Sequence, residues 1–130
     1  MQITRQTDYA IRCVLYVSRA KDRVVMIDEI AREMGIPKSF LAKILQKLTK
    51  TGLVKSFRGV QGGFQLAKKR GQISLLDVIA AIQGSPAMNR CAMDRKTCQL
   101  SSVCTVHPVW LELRKKVEQH LRKITFEKLA

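Results

Sequence analysis

Aromatic residues are scarce in this sequence, at 5% of its 130 residues. Proteins that bind single-stranded nucleic acid usually stack the bases on aromatic side chains, so this scarcity disfavours that class. Long apolar runs are also missing, because none approaches the roughly 20 residues that a membrane-spanning helix needs. The first residues lack the apolar segment of a secretory leader. We therefore expect a cytoplasmic protein with no membrane partner.

Acidic residues are missing from the whole stretch between Glu33 and Asp77, in which Lys and Arg recur. The complete chain carries a formal net charge of +14. Positive charge of this size attracts polyanions such as nucleic acid. A solvated basic face and a docking surface for an acidic protein are the alternatives. The length suits one compact domain, alone or with an appended helix.

Three of the four cysteines lie close together in the sequence and are followed by a histidine. The spacing C-x6-C-x5-C-x2-H joins Cys91, Cys98, Cys104 and His107. Clustered cysteines in a reducing cytosol more often hold a metal than form a structural disulfide. Three thiolates and one imidazole suit a tetrahedral zinc ion or an iron–sulfur cluster, and the spacing alone slightly favours zinc. A disulfide with one remaining thiol and a set of unconnected reduced cysteines are the other interpretations.

Hydrophobic periodicity predicts a mainly helical chain with one small β-hairpin. Gly35 separates two short helices, and a glycine-rich turn at residues 58–63 separates two short strands. Two helices that meet at a glycine and are followed by a hairpin form the outline of a winged helix-turn-helix. The predicted helices cover residues 4–20, 28–34, 39–50 and 74–83, and the predicted strands cover residues 53–57 and 64–67.

A winged helix-turn-helix indicates double-stranded DNA as the partner. The N-terminal part of its second helix enters the major groove. The turn of its hairpin presents a side chain to the backbone or to a narrow minor groove. An ordinary three-helix core with a solvated lysine face is the alternative interpretation. The predicted DNA-binding residues are Lys38, Ser39, Lys43, Lys47 and Arg58.

A long helix is predicted from residue 102 or 105 to residue 126. Because Cys104 and His107 are three residues apart, such a helix would place both on one face near its N-terminus. Cys13 falls on the apolar face of the first helix and is predicted to be a core thiol. The apolar residues of the long helix recur at spacings of three and four, which favours packing against a partner helix. They are Trp110, Leu113, Val117, Leu121 and Ile124.

Three segments resemble the winged-helix iron–sulfur transcriptional regulators, the family that includes IscR, NsrR and RirA. They are ITRQTDYA at residues 3–10, GLVKSFRGVQGGFQL at residues 52–66 and CTVHPVW at residues 104–110. The resemblance covers nearly the whole chain. It implies a homodimeric transcription factor whose long C-terminal helices pack against each other. It also implies that Cys91, Cys98 and Cys104 hold an iron–sulfur cluster in each subunit.

The resemblance implies two candidates for the fourth cluster ligand. His107 falls where the iron–sulfur-assembly regulator uses a histidine with a 2Fe–2S cluster. Asp8 falls where a nitric-oxide-sensing relative uses an aspartate of the other subunit with a 4Fe–4S cluster. This chain has both residues, and the gap between Cys91 and Cys98 is one residue longer than in those two relatives. Both cluster types are therefore expected alternatives.

These patterns together predict a DNA-binding transcriptional regulator. It would sense iron–sulfur status, redox state or nitric oxide through a cysteine-ligated cluster, and a regulator based on zinc or on a thiol–disulfide change is the alternative. We expect no enzymatic activity and no small-molecule substrate, because no nucleophile–base pair or paired carboxylate is evident. The predicted parts are a winged helix-turn-helix domain at 1–83, a cluster loop at 84–104 and a dimerisation helix at 105–130.

Overall fold

The protein is described over residues 1–130 by a computed structural model, and it is built mainly of helices with one hairpin. This confirms the predicted fold class. Two three-residue 3₁₀ turns, at Arg70–Gln72 and Arg95–Thr97, lie among the longer elements. In chain order the elements are α1 (Arg5–Arg19), α2 (Ile27–Met34), α3 (Lys38–Lys50), β1 (Val54–Phe57), β2 (Gly63–Leu66), α4 (Leu75–Ile82), α5 (Arg90–Met93), α6 (His107–Lys123) and α7 (Phe126–Leu129).

Helix α1 begins where the sequence supplies a capping threonine. The hydroxyl of Thr4 accepts a hydrogen bond of 3.2 Å from the backbone N–H of Thr7, one of the donors that a helix start leaves free. The apolar side of α1 is buried and contacts α2, α3 and α4. Cys13 lies fully buried on that side, and burial raises the pKa of its thiol to about 12. The prediction that Cys13 is a core thiol is confirmed.

The turn between α2 and α3 depends on one glycine. Gly35 ends α2 with φ 63° and ψ 40°, a left-handed conformation that other residues adopt only at a cost. Pro37 then precedes α3, where its missing N–H leaves no helical bond unmade. Leu41, Ile44 and Leu48 of α3 are completely buried, so the opposite side of this helix faces outward.

The hairpin packs on the turn that follows α1. Strands β1 and β2 are antiparallel, with Val54 opposite Leu66 at one end and Phe57 opposite Gly63 at the other. Val25 and Phe64 exchange two backbone hydrogen bonds of 2.8 Å, so Val25 extends the sheet by one residue. A side chain at position 63 would collide with the Val25 carbonyl, which explains the glycine there.

Glu29 of α2 contacts both α1 and the turn that follows α1. The Tyr16 hydroxyl donates to Oε1 of Glu29 at 2.6 Å. Arg23 approaches both oxygens of the same carboxylate, at 2.7 and 3.0 Å. The Arg23 guanidinium, and then the Tyr16 hydroxyl, lower the pKa of Glu29 to about 2. These hydrogen bonds tie the start of α2 to α1 and to the turn between them.

Helix α4 begins at a reciprocal cap. The Ser74 hydroxyl accepts from the backbone N–H of Asp77 at 3.2 Å, and the Asp77 carboxylate accepts from the N–H of Ser74 at 2.9 Å. Helix α6 then packs against α4 and α5. No helix in the structure is both long enough and apolar enough to cross a membrane.

The long helix ends earlier than predicted. It stops at Lys123, and the next two residues are extended, so the prediction that it continues to residue 126 is wrong. The backbone of Ile124 accepts from Leu75 at 2.9 Å, and the N–H of Phe126 donates to Ile73 at 3.0 Å. Phe126 is completely buried in the main hydrophobic core. Burial of this side chain outweighs the helical bonds that α6 would gain by continuing.

Candidate DNA-reading surface and cysteine segment

Helix α3 separates apolar side chains from basic ones. Its inner side fills the core, whereas Lys38, Ser39, Lys43 and Lys47 are all exposed. The fifth predicted residue, Arg58, is exposed in the turn between β1 and β2. The structure therefore places four of the predicted DNA-binding residues along one helix and the fifth in the wing.

Two of these lysines have partners within the protein. The amino group of Lys38 lies 2.6 Å from a carboxylate oxygen of Asp28 on α2. The amino group of Lys47 donates to the side-chain amide oxygen of Gln6 on α1, at 3.4 Å. Lys43 and Arg58 stand in no ion pair. Their charges are fully available to an anionic partner.

An aromatic contact that the sequence did not predict braces the start of α3. The rings of Tyr9 and Phe40 meet edge to face, with their centroids 6.2 Å apart. The guanidinium of Arg12 lies 5.6 Å from the centre of the Tyr9 ring. Phe40 nevertheless remains 49% exposed beside the lysines. The signal for this pairing was weak, because the two rings are far apart in the sequence.

Glycines form the tight turn at the tip of the wing. Gly59 has φ 100°, and its carbonyl accepts from the N–H of Gly62 at 3.0 Å. Val60 between them is 97% exposed, more than any other large apolar side chain. The turn therefore projects Arg58 and Val60 away from the core.

The three clustered cysteines lie on one segment but do not meet. Cys91 is buried in α5, Cys98 is exposed after a 3₁₀ turn, and Cys104 is half-buried before α6. All three are free thiols. No group of three or more His, Cys, Asp or Glu side chains in the structure stands close enough to hold a metal ion.

His107 is the first residue of α6 and is buried, with 6% of its surface exposed. Its Nδ1 atom has no hydrogen-bond partner. Helix α6 begins only at His107, with Pro108 in its first turn, so Cys104 lies outside the helix. The prediction that the two side chains share a helix face is therefore wrong. Thiols and an unpartnered imidazole are nonetheless ligands that suit an iron–sulfur cluster or zinc.

Asp8, the other predicted fourth ligand, lies on α1. Its carboxylate is 2.8 Å from the guanidinium of Arg12, one turn further along the helix. Both side chains are about half exposed, at 49% and 46%. The structure thus gives the carboxylate a local partner on its own helix.

A polar network ties the Cys91 segment to α6. Arg114 donates to Glu118 at 3.0 Å and also to the backbone carbonyl of Ala92. The hydroxyl of Ser85 donates to the same Glu118 oxygen at 3.0 Å. Arg114, and to a lesser extent Ser85, lower the pKa of Glu118. The sequence offered only the Arg–Glu spacing of four residues as a signal for this network.

The helix-turn-helix, the hairpin wing and the exposed lysines define a winged-helix DNA-binding protein. The chain belongs to the Rrf2 family, described as iron-dependent transcriptional regulators, whose family model matches residues 3–130. It is accordingly a DNA-binding regulator of transcription, and members of this family are not enzymes. The predictions of a DNA partner and of no enzymatic activity are confirmed.

A relative in sequence agrees with this assignment, and two solved structures share the fold. The chain is 32% identical to the HTH-type transcriptional regulator IscR of Pectobacterium atrosepticum, over 100% of this chain and 79% of that protein. CymR, the global cysteine regulator of B. subtilis, has a similar structure, with a TM-score of 0.79 at 22% identity over 100% of this chain and 96% of CymR. The oxidized form of Staphylococcus aureus CymR gives a TM-score of 0.74 at 22% identity, over 100% and 96%.

Proposed function

We propose that this regulator senses iron–sulfur status, redox state or nitric oxide through an iron–sulfur cluster. The observation that carries the proposal is the buried His107 ring, whose Nδ1 atom lacks a partner. A buried polar atom without a partner is rare, and a metal bond would satisfy it. His107 follows a segment with three free thiols, in a family described as iron-dependent.

In this proposal Cys91, Cys98 and Cys104 hold the cluster, and His107 supplies the fourth ligand. Asp8 of the other subunit is the alternative, but its carboxylate already faces Arg12. A cluster of the 2Fe–2S or 4Fe–4S type held by these residues would supply a group that responds to electrons, oxygen and nitric oxide. Cys91 is buried and Cys98 is exposed, so the segment has to reorder before the thiols converge. Metal binding commonly couples to local folding in this way.

The proposed contacts with double-stranded DNA follow from the surface of α3 and the wing. Lys38, Ser39, Lys43 and Lys47 would lie along the major groove, and Arg58 would reach the backbone or minor groove. On binding, Lys38 would exchange its 2.6 Å contact with Asp28 for a phosphate. The unpaired charges of Lys43 and Arg58 require no such exchange.

We propose that the protein acts as a homodimer. Helix α6 carries apolar side chains that its own subunit covers only in part, although α6 also packs on α4 and α5. Exposed apolar side chains are concentrated between the end of α5 and the first turns of α6, namely Met93, Leu100, Val103, Val106, Val109 and Leu111. A second copy would cover them and hold two winged helix-turn-helix domains for a two-fold operator.

Anaerobic purification tests the cluster directly. We expect a coloured protein with visible absorption and with bound iron and sulfide. Replacing Cys91, Cys98 or Cys104 by Ala should remove the colour, whereas Cys13→Ala should keep it, because Cys13 lies in the core. Full cluster occupancy in Cys98→Ala would overturn the ligand assignment. A spectrum that changes in Asp8→Ala but not in His107→Ala would replace His107 by Asp8.

A zinc-based or thiol-based regulator is the second candidate. The separation of the three thiols favours the thiol-based version, since a disulfide needs only two of them to meet. CymR, which shares the fold, has been solved in an oxidized form. Colourless anaerobic protein with stoichiometric zinc would support the zinc-based regulator. Metal-free protein that forms a specific disulfide with peroxide, seen by peptide mass mapping, would support the thiol-based regulator.

A further inference from the structure

A basic cavity of about 470 Å³ lies at the base of the wing. One wall comes from the end of α1 and the turn after it, the second from β1 and β2, and the third from the chain that follows β2. Leu66 is its only hydrophobic lining residue. Five cationic side chains line it, namely Lys21, Lys55, Lys68, Lys69 and Arg70.

None of these five cations is neutralised. They take part in none of the ion pairs of the structure. Asp22 is the single acidic residue in the lining, and its backbone carbonyl accepts from the Gln65 amide. The Glu127 carboxylate lies nearby against Gly71. Positive charge therefore exceeds negative charge in a concave site, which concentrates anions.

Lys21 adopts an unfavourable backbone conformation at the edge of the cavity. Lys21 has φ 56° and is the only non-glycine residue with a positive φ. It follows Ala20, which ends α1, at the position where helices usually place glycine. A lysine here accepts an unfavourable backbone conformation that glycine would adopt freely. Its amino group adds charge to the cavity wall.

The cavity lies towards the end of the hairpin opposite to Arg58. Lys55 and Leu66 belong to the end of the hairpin where Val54 pairs with Leu66. Arg58 lies in the turn at the opposite end, beyond the pair Phe57–Gly63. No predicted DNA-binding residue lines the cavity.

We infer that this cavity binds a small, multiply charged anion that carries phosphate groups. Lysine and arginine form strong charge-assisted hydrogen bonds with phosphate oxygens. The volume lies within the range of sites for small molecules. Because Lys55 and Gln65 belong to the hairpin, the bound anion contacts the wing itself. This site does not depend on the proposed cluster.

Titration calorimetry with inorganic tripolyphosphate at about 0.15 M salt tests the inference. We expect one binding site per chain. The double variant Lys55→Gln/Lys68→Gln should lose at least about tenfold in affinity. The control Lys115→Gln/Lys123→Gln removes equal charge from exposed positions on α6 and should stay within about twofold. Lys21→Gly should weaken binding without lowering the melting temperature, because glycine relieves the backbone there.

Three results would overturn the inference. One is the absence of binding to the unmodified protein at that salt concentration. Another is an equal loss in both double variants, which would indicate diffuse charge attraction. The last is an effect on the binding of duplex DNA alone. If Lys55→Gln/Lys68→Gln lowers only the affinity for a duplex, and tripolyphosphate does not bind, the cavity contacts the DNA backbone instead.

Discussion

The carboxylate of Glu29, in α2, binds one residue of α1 and one residue of the turn that follows α1. It accepts from Tyr16 at 2.6 Å and from Arg23 at 2.7 and 3.0 Å. Its pKa of about 2 in the folded protein is below the ordinary value of 4.5. A depressed pKa means that the folded state favours the charged form, so Glu29 stabilises the protein above pH 4.5. That contribution disappears as the pH falls through 2.

We therefore predict that Glu29→Gln lowers the free energy of unfolding at pH 7 and has a much smaller effect at pH 3. Urea denaturation of both proteins at the two pH values measures the difference. Glu33→Gln is the matched control, since Glu33 faces Arg32 at 3.4 Å on the exposed side of the same helix. Exposed pairs of that kind contribute little. A Glu29→Gln effect of equal size at both pH values would contradict the assignment.

Helix α3 and the wing, which carry the proposed DNA contacts, differ in geometry. Helix α3 is packed on the core along one side and braced by the Tyr9–Phe40 contact at its start. The wing is anchored only through its base, and its glycine-rich turn projects into solvent. A rigid helix suits contacts that fix the register on the duplex. The projecting turn suits one side chain inserted into a groove.

Substitutions in these two elements should accordingly differ in kind. Arg58→Ala should lose about 1–3 kcal/mol of operator affinity if the side chain reads a base edge or narrow groove. Lys47→Ala should mainly flatten the dependence of affinity on salt, because a phosphate contact releases a counterion. Fluorescence anisotropy over a range of salt concentrations separates the two effects. Lys115→Ala, on the exposed side of α6, should change neither, and two identical salt profiles for Arg58→Ala and Lys47→Ala would refute the distinction.

The proposed sensor would act as a dimer of two chains. We predict that the protein is a dimer at micromolar concentration, and that Val109→Asp makes it monomeric. Val109 is 53% exposed near the start of α6, and an aspartate there would put unpaired charge into the proposed interface. Val60→Asp places the same charge on the wing tip and should remain dimeric. Sedimentation velocity distinguishes the outcomes, and a monomeric unmodified protein would exclude the proposed interface.

Local signals were sufficient to predict most of the elements. The Thr4 cap, the left-handed Gly35 and the Ser74 cap each act within a few residues, and all three were visible in the sequence. The end of α6 was not visible in the local sequence. It depends on the burial of Phe126 in a core that is formed mainly by residues far earlier in the chain.

The candidate sites show the same limit. Single residues such as Lys43 and Arg58 were located correctly on exposed surface, since the helical and hairpin patterns fix which side faces solvent. The relative placement of Cys104 and His107 was missed, because the start of α6 depends on Pro108 and the turns before it. The basic cavity was also missed as a unit. Its three walls come from separate parts of the chain, and only the acid-free stretch gave a hint of its charge.

The burial of Phe126 has a consequence for how the molecule is made. Residues 1–83 contain the helix-turn-helix and the wing, yet their core includes a side chain that follows α6 in the sequence. A nascent chain on the ribosome cannot close this core until the cysteine segment and α6 have already been synthesised. During translation, the segment that carries the three thiols is therefore synthesised before the winged helix-turn-helix can complete its core.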